Sequence, residues 1–187
     1  MLTSQEIEEN KKRFITLLRS TEREGIDKVV DYLEKNNFFQ IPSSRHRHHN
    51  WRGGLAQHCL GVYDRLNVTG EQLPADSKII TSLLHDICKA RKLYYDKNGE
   101  LKERHSDQLR IPGHGYRSVK LLENLGLKLN PEEKRAIRWH MGGYNIPKEE
   151  MRDFFATKKS DLWRLLLNAD RFDSSHHDPR TRSSVRK

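Results

Sequence analysis

Ile79, Ile80, Leu83, Leu84 and Ile87 fall at helical spacing and cover a wide face of a helix that starts near Pro74-Ala75-Asp76. A helix apolar over so broad a face belongs at the centre of a fold, with other helices packed around it. His85 and Asp86 close this element, and a buried imidazole and carboxylate both need partners. Taken alone, a His-Asp pair is an ordinary hydrogen-bonded helix terminus. The remaining histidines and aspartates change that reading.

The other elements are helical too. Thr3 and Glu6 can form a capping box ahead of Ile7, Phe14, Leu17 and Leu18, which predicts a helix over 4–20. Gly25 ends that stretch, and Ile26, Val29, Val30 and Leu33 mark a second helix. Phe38, Phe39, Ile41 and Pro42 form an apolar loop that packs on the body. Leu55, Cys59, Val62 and Leu66 predict a helix over 55–67 with His58 on its apolar side. Leu93-Tyr94-Tyr95 and Leu101-Lys102-Glu103 flank an Asn98-Gly99 turn, which predicts a hairpin flap around 93–110 whose polar end, His105 to Leu109, the sequence does not place.

His114 opens a helix carrying Val119, Leu121, Leu122 and Leu125. Gly113 and Gly115 make no phosphate loop, because no strand precedes them and the glycine spacing is incomplete. Asn130-Pro131-Glu132-Glu133 starts a helix that runs to Trp139-His140, with Asn as cap and Pro in first position. A short helix over 147–155 follows, and Ser160 caps a last one closed by Asp170 and Asp173. A carboxylate at the negative end of a helix dipole calls for a compensating cation. The expectation is an all-α bundle with one small hairpin flap, a single domain over 1–173, and a disordered basic tail over 174–187.

Charge narrows the partners. The 35 lysines and arginines exceed the 26 acidic residues, and a net charge of +9 favours anionic ligands. The loop Arg45-His46-Arg47-His48-His49-Asn50-Trp51-Arg52 reads equally as a solvated basic loop or as the lining of an anion-binding mouth, and none of its histidines stands out as a ligand. Cys59 and Cys88 lack a repeated CxxC spacing and read as small buried thiols of a reducing compartment. Without a cleavable apolar N-terminus or a run of ~18 apolar residues, the expected address is the cytoplasm and no membrane partner is expected.

His58, His85, Asp86, His114, His140 and Asp170 each lie on a predicted helix, at or near an end. As independent core residues they are hard to explain, whereas together they can hold two divalent ions. Nitrogen and carboxylate donors without thiolate suit Fe, Mn, Zn or Ni. Asp86 is the natural bridge between two ions, since it has two oxygens and His85 ties it to the first. Lys89, four residues beyond His85 and three beyond Asp86, projects to the same side. It reads either as a grip for a substrate phosphate or as a surface lysine favoured by the helix C-terminus. Arg117 stands in the same relation to His114.

Gly53-Gly54-Leu55-Ala56-Gln57-His58, Leu84-His85-Asp86-Ile87-Cys88-Lys89, Gly113-His114-Gly115, Trp139-His140-Met141-Gly142 and Asn168-Ala169-Asp170 resemble, in this order, the motifs of the HD-domain superfamily of metal-dependent phosphohydrolases. The resemblance runs from about Arg45 to Asp173 and is nearest to stand-alone bacterial HD hydrolases and to the HD part of certain 3′-to-5′ exoribonucleases. It implies an all-α fold, one ion bound by His58, His85, Asp86 and Asp170, and a second bound by Asp86, His114 and His140. Two positions depart from the family pattern. Cys88 stands where many relatives have Gly, and Met141 stands where members with a paired His-His have the second histidine. The latter argues against a third ion there and, with the missing Gly-Tyr-Pro signature, against the branch that degrades cyclic di-GMP.

The resemblance implies a hydrolase that cleaves a phosphomonoester or phosphodiester of a small nucleotide-like substrate with a metal-activated hydroxide. Asp86 and Lys89 would carry the catalysis, while Lys89, Arg117 and Arg52 would hold the phosphate. Nucleic acid is the less favoured substrate, because no separate nucleic-acid-binding domain accompanies the bundle. Two other readings share the sequence features: a di-iron oxygenase of the same fold, and a non-catalytic nucleotide- or RNA-binding protein.

Overall fold

The computed structural model describes residues 1–103, 113–143 and 146–177. Within them lie eight α-helices: α1 Ser4–Ser20, α2 Ile26–Lys35, α3 Gly54–Thr69, α4 Ala75–Leu84, α5 His114–Asn124, α6 Pro131–Arg138, α7 Met151–Thr157 and α8 Asp161–His176. Strands β1 Leu93–Tyr95 and β2 Leu101–Glu103 pair antiparallel, Tyr95 opposite Leu101, so the expected hairpin forms. The polar end of the flap after Glu103 lies outside the described residues. No described helix is long and apolar enough to cross a membrane.

Local chemistry sets the helix starts as the sequence predicts. The Thr3 hydroxyl accepts the Glu6 amide while Glu6 caps the Thr3 amide, and Asn130 with Glu133 repeats this reciprocal box ahead of α6. Ser160 accepts the Trp163 amide at the start of α8.

Two apolar clusters hold the helices together. The larger joins α1, α2 and the 38–41 loop to α3 and α4, with Phe14, Phe38 and Phe39 in mutual edge-to-face contact at 5.4–5.5 Å. The smaller joins Val62 and Leu66 of α3 to Trp139 beyond α6, Phe154 of α7, and Leu162, Trp163 and Leu166 of α8. Helix α4 is central, as expected, with Ile80, Leu83 and Leu84 fully buried. Helices α3, α4, α6 and α8 touch one another, and their meeting point collects the histidines.

Three helix ends differ from expectation. Helix α4 stops at Leu84, so His85 is its C-cap and Asp86 lies outside it, before a 3₁₀ turn over Ile87–Arg91. The His85 ring supplies the reason: its Nδ1 bonds the Ser82 carbonyl at 2.8 Å, the oxygen a continuing helix would offer to Asp86. Helix α6 ends at Arg138 in the same manner, with His140 Nδ1 on the Ile137 carbonyl at 2.7 Å. Helix α8, in contrast, runs past Asp170 and Asp173 to His176, into the stretch expected to be tail. Residues 178–187 lie outside the described residues.

Candidate metal centre

Five chain segments converge on Asp86. Its Oδ2 faces His85 Nε2 at 3.4 Å, His58 Nε2 at 3.9 Å and Lys89 Nζ at 2.6 Å. Its Oδ1 faces His140 Nε2 at 3.6 Å and His114 Nε2 at 3.7 Å. One carboxylate thus divides the four histidines into two pairs, one at each oxygen. Asp170 Oδ1 joins the first pair, 3.3 Å from His58 Nε2. Donor atoms of His58, His85 and Asp170 lie within 4.8 Å of one another, as do those of His85, Asp86 and His140. His114 sits at the rim, its side chain 29% exposed, while His58, His85 and His140 are fully buried.

Each buried ring is oriented from behind. His85 and His140 give Nδ1–H to main-chain carbonyls, and His58 Nδ1 bonds Asp173 Oδ2 at 2.6 Å. These partners fix the tautomer and aim Nε2 inward, the arrangement typical of histidines that ligate metals. The inward atoms His58 Nε2, His85 Nε2, His140 Nε2 and Asp86 Oδ1 are buried and have no hydrogen-bond partner. Such orphaned atoms are costly unless something binds them. The donors present therefore fit a divalent ion, or two sharing Asp86.

Two close helix approaches make the convergence possible. A Cβ on Gly61 of α3 would lie 2.2 Å from Asp173 Oδ1, so the bare backbone lets α8 bring Asp173 against His58. A Cβ on Gly115 would lie 2.2 Å from the Arg138 carbonyl oxygen, so the start of α5 rests on the end of α6 and His114 meets His140.

The charges are coupled. Burial favours neutral Asp86, but Lys89 and the neighbouring histidines outweigh it and hold the carboxyl well below its usual range. Burial opposes the Lys89 ammonium, yet Asp86 keeps its pKa raised. Burial likewise opposes charge on His58, but Asp170 and Asp173 on either side raise it to about 9. Burial lowers His114 to about 4, despite the pull of Asp86.

A pH signature follows for the two sides of Asp86. At pH 7 His58 carries a proton that a ligating nitrogen must lose, whereas His114 is already neutral. Zinc titrated into chelator-treated protein is expected to release a proton from the His58 side at pH 7, and progressively less from that residue as pH rises through about 9. Calorimetry in buffers of different ionisation enthalpy measures this, and proton release unchanged by a His58→Gln substitution would contradict it. Stability in chelator has the matching sign. The His58 contribution is complete below the ~6.5 of an unfolded histidine and is lost as pH rises through about 9. His114 acts oppositely: the unfolded chain binds its proton more readily, so acidification from ~6.5 toward about 4 destabilises the fold.

The expected cations fall at different depths. Lys89 reaches Asp86 through the 3₁₀ turn, not along a continuous helix, and also bonds Ser43 Oγ at 3.4 Å. Arg117 is half-buried, close enough to His114 and Cys88 for its charge to act on both. Arg52 is exposed and gives its Nε–H to Gln40 at 2.8 Å, so it lies outside the cluster around Asp86. Cys59 and Cys88 are free thiols, and burial pushes both pKa values up.

Asp173 and His49 are the residues that sequence reasoning missed. Asp173 lies on the same face of α8 as Asp170, and the cation that a late carboxylate calls for is His58. Of the basic loop, Arg45, His46 and Arg47 are exposed, whereas His49 is buried behind His58, their ring centroids 5.4 Å apart. No pattern in Arg45 to Arg52 singles out that one residue.

The sequence profile of the HD domain matches residues 55–175, from the turn before His58 to beyond Asp173. The chain belongs to the HD-domain family. Comparison with curated proteins returns no match, and comparison with solved structures returns none. The HD domain is typical of metal-dependent hydrolases, and the His/Asp clusters could hold metal.

Proposed function

We propose that this HD-domain protein hydrolyses a phosphomonoester or phosphodiester of a small nucleotide-like substrate at the Asp86 centre. The observation that carries the reading is Asp86 itself, one carboxylate with two histidine nitrogens at each oxygen and a lysine at its edge. His58, His85, Asp86 and Asp170 would hold one divalent ion, and Asp86, His114 and His140 a second. Bound there, such ions supply Lewis acidity toward a phosphoryl oxygen and hydroxide at neutral pH.

The chain's own contribution is preorganisation. Carbonyls of Ser82 and Ile137 and the carboxylate of Asp173 hold the imidazoles in the ligating tautomer, so little reorganisation accompanies substrate binding. Lys89, partly exposed beside Asp86, is the cation best placed to neutralise a phosphoryl oxygen. Arg117 beside His114 would add a second charge, and Arg52 would meet only the outer part of an extended substrate. Similarity to the HD part of 3′-to-5′ exoribonucleases belongs to this proposal as a guide to substrates, and short oligonucleotides therefore join the nucleotides in the test.

Protein loaded with Mn²⁺ or Co²⁺ is expected to release phosphate or alcohol from members of a nucleotide and phosphodiester panel. Chelator should abolish the activity, and Lys89→Met should lower kcat/KM by roughly 10²-fold, the scale for losing one charge-stabilising donor. Absence of turnover on the whole panel by protein shown to hold its ions would defeat the reading. Oxygen uptake by the iron-loaded protein would then favour the di-iron oxygenase, which uses the same donors.

A further inference from the structure

On the far side of the His58 ring from Asp86 lies a group of donors of which the proposed hydrolase centre uses only Asp173, as the partner that orients His58. His49, Asp173 and His177 bring one donor atom each within 4.8 Å of one another. His49 Nε2 is 3.6 Å from Asp173 Oδ2, and His177 Nδ1 is 3.8 Å from Asp173 Oδ1 while giving its N–H to the Asp173 main-chain carbonyl at 3.0 Å, a bond that an ion at this nitrogen must replace. The two imidazole centroids are 4.2 Å apart.

His49 has features that simple packing leaves unexplained. It is 1% exposed, and its buried Nδ1 has no hydrogen-bond partner. Its backbone sits at φ 47, in the left-handed region that a non-glycine residue enters at a cost. The Ser43 amide bonds the His49 carbonyl at 3.0 Å and helps to hold the loop in that conformation. The strained turn sets the Nε2 edge of His49 against the Asp173 carboxylate, an arrangement that a ligand shared by those two atoms stabilises.

We propose that His49, Asp173 and His177 form a separate binding site for a borderline divalent transition ion such as zinc. Two imidazoles and a carboxylate match the three-protein-ligand sets that zinc accepts, with room for a further ligand. Met141 does not bear on this site, since it follows His140 on the opposite side of Asp86. An ion held here joins the histidine loop to the C-terminal end of α8. Through Asp173 it also fixes the carboxylate that orients His58.

The test uses the full chain. His177 is 35% exposed in its side chain at the end of α8, a position where truncation leaves the core intact. Wild type and His177→Ala are equilibrated with zinc, desalted and compared for zinc per chain by mass spectrometry, and crystals of each are measured at the zinc absorption edge. The variant is expected to hold one equivalent less and to lose an anomalous peak beside His49, keeping the zinc at Asp86. Equal zinc contents with no such peak in wild type would overturn the proposal. Asp86→Asn is the complement, since it strips zinc from the hydrolase centre and leaves this one, so failures of the two readings have different signatures.

Discussion

Asp86→Asn is expected to lower the zinc bound at the histidine cluster and to reduce the proposed phosphohydrolase activity to the assay background, because one side chain faces both histidine pairs. The same substitution is expected to cost stability in chelator, where metal occupancy plays no part. Asp86 is buried, and removing it leaves the Lys89 ammonium without its counterion. Breaking a buried pair from one side costs ~3–5 kcal/mol. Lys89 is 18% exposed in its side chain, so water offsets part of this, and a loss of about 2 kcal/mol is the working figure. For a chain of this size that lowers Tm by roughly 4–8 °C. Asp86→Asn/Lys89→Met should regain most of the Tm and none of the zinc. A single variant with wild-type zinc content and activity would refute the central role of Asp86.

Gly115→Ala carries the second large effect and acts through backbone alone. Its Cβ would fall 2.2 Å from the Arg138 carbonyl oxygen and 2.6 Å from that of Ile137, neither of which can swing aside as a side-chain tip can. Helices α5 and α6 must separate, at the ~1–3 kcal/mol typical of overpacking. The Ile137 carbonyl is also the acceptor that orients His140, and His114 stands one residue before Gly115. Under the two-ion proposal, binding at the His114 and His140 side should therefore weaken more than binding at the His58 and Asp170 side. Calorimetric titration resolves the two classes, and equal weakening of both, or of neither, would contradict the geometry.

Much of this was legible in the chain because it depends on local patterns. The Thr3 and Asn130 caps, the buried stripe of α4 and the Asn98-Gly99 hairpin are set by residues within a few positions of one another, and each forms. The HD motifs gave the family for a similar reason, since each donor is marked by its immediate neighbours. The helix ends at His85 and His140 were less legible. Apolar periodicity runs on through Ile87, but a ring nitrogen takes the carbonyl that the next turn would need.

By itself, then, the sequence determined the helical class and the order of the elements, and it singled out the five His and Asp side chains that the fold gathers with Asp86. Tertiary structure decided which oxygen of Asp86 each histidine meets, that Asp173 stands behind His58, and that His49 is buried while Arg45 to Arg47 remain exposed. Helix formation and capping are governed by hydrogen bonds and side-chain periods a few residues long, which a linear pattern records. Convergence of α3 with α8 and of α5 with α6 depends on how closely backbones approach at Gly61 and Gly115, and that distance is fixed only when residues far apart in the chain pack together.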